Sequence, residues 1–294
     1  MKAVKKIRQP KPAWLKAHIP SGDNYFRIKK ELERRHLNTI CQDARCPNIS
    51  ECWNNYHATF LIMGDTCSRN CFFCSVKNGI PKPLAPEEAD RILEMVKILG
   101  AKYIVITSVT RDDLTDGGSK HFAGLIKKIK KERCDLQVEV LIPDFKGNKE
   151  HLKEVFAAKP DVLNHNLETV KGLYAKVNRD PHNYNISLKV LKLGKENNLI
   201  TKSGIMVGLG ETAAELEELL VDLRENGVNL LTIGQYLQPT KNNLPVERFV
   251  SPAEFEELKK LALSLGFTAV ESGPFVRSSY KAAQMYREFF RTLE

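Results

Sequence analysis

The chain has no apolar run of membrane-spanning length, so it offers no candidate for a transmembrane helix. Its first residues, MKAVKKIRQPKPAW, are basic but lack the apolar core of a secretory signal. They also lack the serines and amphipathic spacing of a transit peptide. The expected location is the cytoplasm, with no membrane partner. Beyond that short run there is no dense Lys/Arg block with interleaved aromatics, which argues against nucleic acid as a partner. Only seven residues of 294 are cysteine, and an odd count does not suit a disulfide framework. No histidine lies close after Cys74, and neither group of cysteines has an obvious fourth cysteine beside it.

What is present is clustering. Cys41, Cys46 and Cys52 are spaced C-x4-C-x5-C, and Cys67, Cys71 and Cys74 are spaced C-x3-C-x2-C. Clustered cysteines suit a reducing compartment and metal binding. A cubic four-iron cluster needs a terminal ligand on each iron, so three thiolates leave one iron for another group. Structural zinc is the competing reading. It wants four protein ligands, and only His57 could complete the first triplet. The lone Cys134 has no expected role. The formal charge of +9 favours an acidic partner, although thinly spread charge also serves solubility.

Residues 1–57 read as an irregular arm broken by Pro10, Pro12 and Pro20, with one short helix from Asp23 to Arg35. A β/α rhythm begins at Ala58. Strands are expected at Thr59–Met63, Tyr103–Thr107, Gln137–Ile142, Val162–Asn164, Thr201–Val207 and Asn229–Ile233. Helices fill the intervals, including two near Thr169–Val177 and Ser187–Asn197. Such alternation implies parallel strands with helical crossovers. Six units are fewer than the eight of a closed TIM barrel, so an open, partial (β/α)6 barrel is expected, with a doubly wound α/β sheet as the alternative. The division is 1–57 as an N-terminal extension, 58–270 as the barrel and 271–294 as a C-terminal extension. Polar residues cluster after the strands, at Gly64-Asp65-Thr66-Cys67, Thr107-Ser108, Asn164-His165-Asn166 and Gly208-Leu209-Gly210-Glu211. Chemistry in parallel β/α architectures sits at that edge.

The Cys67/Cys71/Cys74 motif resembles the cluster site of the radical S-adenosylmethionine (SAM) superfamily. The Cys41/Cys46/Cys52 motif upstream resembles the auxiliary cluster motif of the lipoyl synthase family. That resemblance extends from about residue 35 to 285, through Thr107-Ser108-Val109-Thr110-Arg111-Asp112-Asp113-Leu114, Val140-Leu141-Ile142-Pro143-Asp144-Phe145, Asn164-His165-Asn166-Leu167-Glu168-Thr169, Gly204-Ile205-Met206-Val207-Gly208 and Arg277-Ser278-Ser279-Tyr280. It implies two 4Fe-4S clusters and SAM as cofactors. SAM would chelate the open iron at Cys67, Cys71 and Cys74, and an electron would cleave it to a 5′-deoxyadenosyl radical. The resemblance also implies an oxygen ligand to the auxiliary cluster, carried over to Ser278, with Ser279 second. Candidate SAM contacts are Phe73, Thr107, Ser108, Asn164, Glu168, Arg179, Lys189 and Gly208. Asp112, Asp113 and Asp116 could touch ribose or hold Arg111, and His165 lacks a partner for a metal.

The implied reaction inserts sulfur at C6 and C8 of a protein-bound octanoyl-lysine, with two SAM molecules cleaved and the auxiliary cluster sacrificed. Unactivated C–H bonds have no usable pKa, so a radical is required. It must meet sulfur in a dry slot before it is quenched. The two clusters are therefore expected to face one another across a buried acyl chain. Implied partners are lipoyl carrier domains of 2-oxoacid dehydrogenase subunits and the glycine cleavage H protein, an electron donor such as ferredoxin or flavodoxin, and an iron–sulfur carrier for repair. The rivals are another two-cluster radical SAM enzyme and a metal-stabilised binding module.

Overall fold

A computed structural model describes residues 10–16 and 19–292, and the basic run at 1–9 lies outside them. After a 3-10 turn at Ala13–Leu15 come α1 (Asp23–Arg34), β1 (Asn38–Thr39), α2 (Ile40–Asp43), α3 (Ile49–Asn54) and β2 (Thr59–Ile62). A small parallel pair, β3 (Thr66–Cys67) and β4 (Lys77–Asn78), brackets the second cysteine triplet. Alternation then follows through α4 (Glu88–Leu99), β5 (Tyr103–Ser108), α5 (Ser119–Glu132), β6 (Gln137–Leu141), α6 (Lys149–Ala157) and β7 (Val162–Asn164). The remaining elements are α7 (Asn183–Glu196), β8 (Ile200–Val207), α8 (Ala213–Glu225), β9 (Leu230–Gln235), α9 (Pro252–Ser264), β10 (Ala269–Gly273) and α10 (Ala282–Arg291).

One sheet runs in the order β1-β2-β5-β6-β7-β8-β9-β10. From β2 to β10 every pairing is parallel, and β1 adds antiparallel to β2 at the edge. Strand order follows chain order without the reversal of a doubly wound sheet, which leaves the partial barrel. The sheet stays open between β10 and the β1/β2 edge. Both extensions enter it: β1 belongs to residues 1–57, and β10 crosses the 270/271 boundary. β10 went unforeseen because only three apolar or small residues, Ala269, Val270 and Gly273, frame Glu271 and Ser272. The helix expected at 169–177 is only a single tight turn at Lys171–Leu173. Glu168 enters it with φ of 71°, and Gly172 lies at its centre.

Side chains alternate across the sheet with period two. Outward residues Ile104, Ile106, Val138 and Val140 pack with Ile92, Val96, Phe122 and Ile126 of α4 and α5. Ile205, Val207, Leu231 and Ile233 pack with α7, α8 and α9. At the N-terminal strand ends Val162, Leu230 and Ala269 enclose the buried Met285, so α10 plugs that end of the barrel. The ring centroids of Tyr103 and Tyr286 lie 5.6 Å apart beside this plug.

Further inside, the barrel is polar. Lys202 Nζ lies 2.9 and 3.1 Å from the two oxygens of Glu139, and both side chains are fully buried. Asn164 Nδ2 and the Tyr103 hydroxyl also donate to that carboxylate, at 2.9 and 2.7 Å. A buried ion pair needs such extra donors to offset its desolvation.

Candidate metal centres and the cavities beside them

The Cys67–Cys74 loop follows β2 at its C-terminal end, and the neighbouring loops pin it. Ser68 N and Oγ donate to Thr110 O at 3.0 and 2.9 Å. Phe72 N bonds Val177 O at 3.1 Å, Asn178 Nδ2 reaches Asn70 O at 2.6 Å, and Asn243 Nδ2 reaches Cys74 O at 2.8 Å. Between the cysteines, Arg69 makes paired bonds to Asp144, at 2.6 and 2.7 Å, and to Asp112, at 2.6 and 3.1 Å. Burial works against the Arg69 charge, but Asp144 and Asp112 outweigh it and raise its pKa. Burial likewise opposes ionisation of Asp144, yet Arg69 holds that carboxyl well below the usual range.

Backbone N–H groups face two of the sulfurs. Arg69 N and Thr110 N donate to Cys67 Sγ at 3.4 and 3.3 Å, and Val76 N donates to Cys74 Sγ at 3.4 Å. Such N–H···S bonds tune iron–sulfur sites. Burial pushes the Cys74 thiol up to about 12. Metal binding must therefore expel the protons.

The first triplet occupies the open seam of the barrel. Three hydrogen bonds cross this seam from the cysteine segment and β2 to the residues after β10. Asn48 Nδ2 donates to Phe275 O at 2.6 Å, Tyr280 OH donates to Glu51 at 3.1 Å, and the Thr59 and Ser279 hydroxyls lie 2.9 Å apart. A cavity of about 270 Å³ opens there, lined by Cys41, Cys46, Cys52, Thr59, Arg277 and Ser279. Burial pushes Cys41 up to about 11 and Cys52 up to about 12. Cys46 is raised by burial too, against the pull of Arg277. Among the described residues no three His, Cys, Asp or Glu side chains form a ready site for a single metal ion. A cubane instead spreads its ligands over separate irons. His57 lines the same cavity, and burial followed by Arg287 lowers its pKa. Cys134 is exposed.

A second cavity, about 120 Å³, adjoins the other triplet and is lined by Thr107, Ser108, Asn166, Glu168, Arg179 and Arg69, among others. Ser108 Oγ, Asn166 Oδ1 and Arg179 Nε are buried there without hydrogen-bond partners among the described residues. The Arg179 guanidinium sits 5.7 Å from the Phe73 ring centroid. Burial opposes its charge, but Glu168 and Cys71 raise its pKa. Burial raises the Glu168 pKa, with Arg179 opposing. One buried cation, one carboxyl group and two unsatisfied polar atoms fit a ligand with carboxylate, ammonium and hydroxyl groups. Phe73 itself packs against the cluster of Val177, Leu209 and Tyr236, an apolar wall beside that polar end.

Thr107, Ser108, Glu168 and Arg179 thus converge, and Phe73 stands next to them. Three expected contacts lie elsewhere. Asn164 is one layer deeper, on Glu139. Lys189 is exposed on α7, because Ser187, Leu188, Val190 and Leu191 turn that helix's other faces inward. Gly208 adopts φ of 94°, and a Cβ there would lie 2.2 Å from Gln235 Nε2 and 2.5 Å from Arg248 O. Its glycine is explained by that close packing, and its N–H donates to Glu211 at 2.6 Å. Ser278 also differs from expectation. It does not line the cysteine cavity, and its hydroxyl accepts from Asn166 Nδ2 at 2.7 Å. The two cavities share no lining residue.

The acidic cluster serves the scaffold. Asp112 holds Arg69, Asp113 holds Arg111 at 2.8 Å, and Asp116 accepts from Gly118 N at 3.0 Å. His165 bonds Ile142 O and Ser187 Oγ through its two ring nitrogens, at 2.8 and 2.9 Å, and burial lowers its pKa to about 4. Sequence reasoning missed Arg69, Asn166, Thr59 and Arg277 as site residues. Arg69, set between two cysteines, and Arg277, beside the serine pair, were visible signals.

Residues 61–223 match the radical SAM superfamily, and residues 1–46 match the N-terminal domain of lipoyl synthase of the radical SAM family. The lipoyl synthase of Rubrobacter xylanophilus is 51% identical over 277 residues, covering 94% of this chain and 86% of the relative. That of Caldicellulosiruptor saccharolyticus is 50% identical over 280 residues, covering 95% and 98%. Among solved structures, a maturase of the FeFe-hydrogenase superposes with a TM-score of 0.56 at 14% identity, covering 93% of this chain and 79% of that one. Methylornithine synthase superposes at 0.54 with 16% identity, covering 86% and 82%. Streptococcus suis SuiB, bound to its precursor peptide, superposes at 0.55 with 15% identity over 79% of this chain, which spans 53% of SuiB. These three share the fold. No helix among the described residues is long and apolar enough to cross a membrane. A family match over more than half the sequence, together with relatives half identical over nearly all of it, places this chain in the lipoyl synthase family of the radical SAM superfamily, which uses a 4Fe-4S cluster and SAM.

Proposed function

We propose that this chain is a lipoyl synthase. It inserts sulfur at C6 and C8 of an octanoyl chain amide-linked to a lysine of a lipoyl carrier domain, with cleavage of two SAM molecules. The observation that carries this reading is the presence of two separate cysteine triplets, each beside its own cavity. Cys67, Cys71 and Cys74 would hold the cluster that binds SAM. Cys41, Cys46 and Cys52 would hold a second, auxiliary cluster that is consumed. When bound, these groups supply the radical and the sulfur.

The residues of the chain do the rest. Arg179 is suited to the carboxylate of SAM, Glu168 to its ammonium or ribose, and Ser108 and Asn166 to the remaining polar atoms. Phe73 would flank the adenine. The plug formed by α10 closes one end of the barrel, in whose interior a carbon radical must reach sulfur before it is quenched. For the auxiliary oxygen ligand, the lining of the cysteine cavity supports Ser279 over Ser278. Oxygen binds such iron less favourably than thiolate, so that corner is the one suited to open.

The three-part division remains a functional one: residues 1–57 bring the auxiliary cysteines, 58–270 the SAM site and 271–294 the serine. The carriers are those of 2-oxoacid dehydrogenases and the glycine cleavage H protein. A ferredoxin or flavodoxin donates electrons, and an iron–sulfur carrier rebuilds the spent cluster in the cytoplasm. The test is anaerobic incubation with SAM, reductant and an octanoyl-lysine peptide, followed by mass spectrometry. The expected product gains two sulfurs and loses two hydrogens, with 5′-deoxyadenosine released. Release of 5′-deoxyadenosine without sulfur gain would point to a different two-cluster enzyme.

A further inference from the structure

The residues after β10 are anchored from two directions. Asn48, Glu51 and Thr59 hold Phe275, Tyr280 and Ser279 from the cysteine side. From the barrel interior, Asn166 Nδ2 donates to Ser278 Oγ at 2.7 Å. A turn closed by Tyr280 N on Arg277 O, at 2.9 Å, lets the adjacent hydroxyls of Ser278 and Ser279 take different partners. Ser279 lines the cysteine cavity, and Asn166 lines the other one. The single residue Ser278 therefore joins the two.

The surroundings are shaped for this bond. A Cβ on Gly204 would lie 2.7 Å from Asn166 Oδ1, 2.8 Å from Ser278 Oγ and 2.8 Å from Thr232 Oγ1. Only a residue without a side chain lets three polar groups meet over β8. Asn166 Oδ1 is buried and has no hydrogen-bond partner among the described residues. Nδ2 therefore carries the amide's hydrogen bonding, and its other contact, to Glu168, is long at 3.4 Å.

We infer that Ser278 is a positioning residue: its hydrogen bond with Asn166 holds the neighbouring Ser279 hydroxyl against the Cys41/Cys46/Cys52 cavity. This rests on the reading that Ser279 is the oxygen ligand of an auxiliary cluster. Removing the bond leaves the three thiolates and the Thr59 contact in place but loosens the one ligand that oxygen supplies. The cluster should still assemble, with one iron held less firmly.

The test uses the full chain with Cys67, Cys71 and Cys74 changed to Ser, so that only the first triplet holds metal. Iron, sulfide and circular dichroism are measured, then the rate at which EDTA removes iron. In S278A and N166A, iron and sulfide stay at the level of the parent, while the first iron leaves about three- to tenfold faster, the effect of one lost hydrogen bond. Ser278→Thr, which keeps a hydroxyl to accept from Asn166 Nδ2, stays near the parent rate. S279A releases that iron faster than either. Parent-like rates in both S278A and N166A overturn the positioning role and leave the auxiliary cluster intact as a reading. If S278A loses the iron outright and S279A does not, Ser278 is itself the ligand. A parent protein that assembles no cluster would instead defeat the two-cluster function. N166A approaches the same bond from the other side if S278A does not fold.

Discussion

Lys202 and Glu139 form an ion pair at 2.9 Å inside the barrel, where neither side chain meets solvent. It lies under the cavities, between the polar mouth and the α10 plug. Its carboxylate is saturated by Lys202, Asn164 and Tyr103. Replacing only one partner, by Glu139→Gln or Lys202→Met, leaves the other buried and unmatched, which costs about 3–5 kcal/mol. The double change should cost clearly less than the sum of the two. Urea unfolding in a double-mutant cycle checks this, and additive losses would mean the pair is not coupled.

Arg69 braces the loop between Cys67 and Cys71 through two bidentate contacts. Lysine carries the charge but not the fork, so Arg69→Lys should lower stability by about 2 kcal/mol. Asp144→Asn should lose a similar amount, and combining them should add little. Thermal unfolding of the three variants measures this.

His165 links its loop to Ile142 and Ser187 as a neutral ring, and burial lowers its pKa from the ordinary 6.5 to about 4. Below pH 6.5 the unfolded chain takes up a proton that the folded ring refuses. Stability is therefore whole above that pH and is lost as pH falls towards the folded value, by on the order of 3 kcal/mol. The depressed Asp144 adds a further loss at lower pH, since its carboxylate must be protonated. Urea midpoints at pH 7, 5.5 and 4 should fall more steeply for the parent than for His165→Gln. Parallel slopes would remove His165 from the account.

Arg179 and Lys189 are both candidate SAM contacts by sequence, but their surroundings differ. Arg179 is buried in the polar cavity, and Lys189 faces solvent. Arg179→Ala should weaken SAM binding at least about thirtyfold, because a buried charged contact is lost. Lys189→Ala should leave binding unchanged. Equilibrium dialysis on reconstituted protein distinguishes the two.

Anaerobic reconstitution should yield about eight irons and eight sulfides per chain, two cubanes. Serine in place of either cysteine triplet should leave about half of each. One or two zinc ions in place of iron would contradict the cluster reading.

The cysteine spacings, the strand rhythm and the polar strand ends were legible in the sequence because each is a local pattern. A thiolate triplet lies within a dozen residues, and a βα unit declares itself by the switch between two periods. Thr107, Ser108 and Glu168 could be nominated one by one, since each follows a predicted strand or sits in a recognisable motif, and Arg179 by its charge alone.

What the sequence left open depended on contacts between distant segments. Ser278 and Ser279 are adjacent and chemically identical, so nothing local distinguishes them. Only the meeting of Thr59 with one and Asn166 with the other, 220 and 112 residues away, tells them apart. β10 is short and part polar, and it becomes a strand because β9 offers it an edge. Asn164 and Lys189 looked suitable by type. Burial against Glu139 and the outward turn of α7 remove them from the cavity, and side-chain direction of that kind is set by packing across the barrel rather than by sequence neighbours.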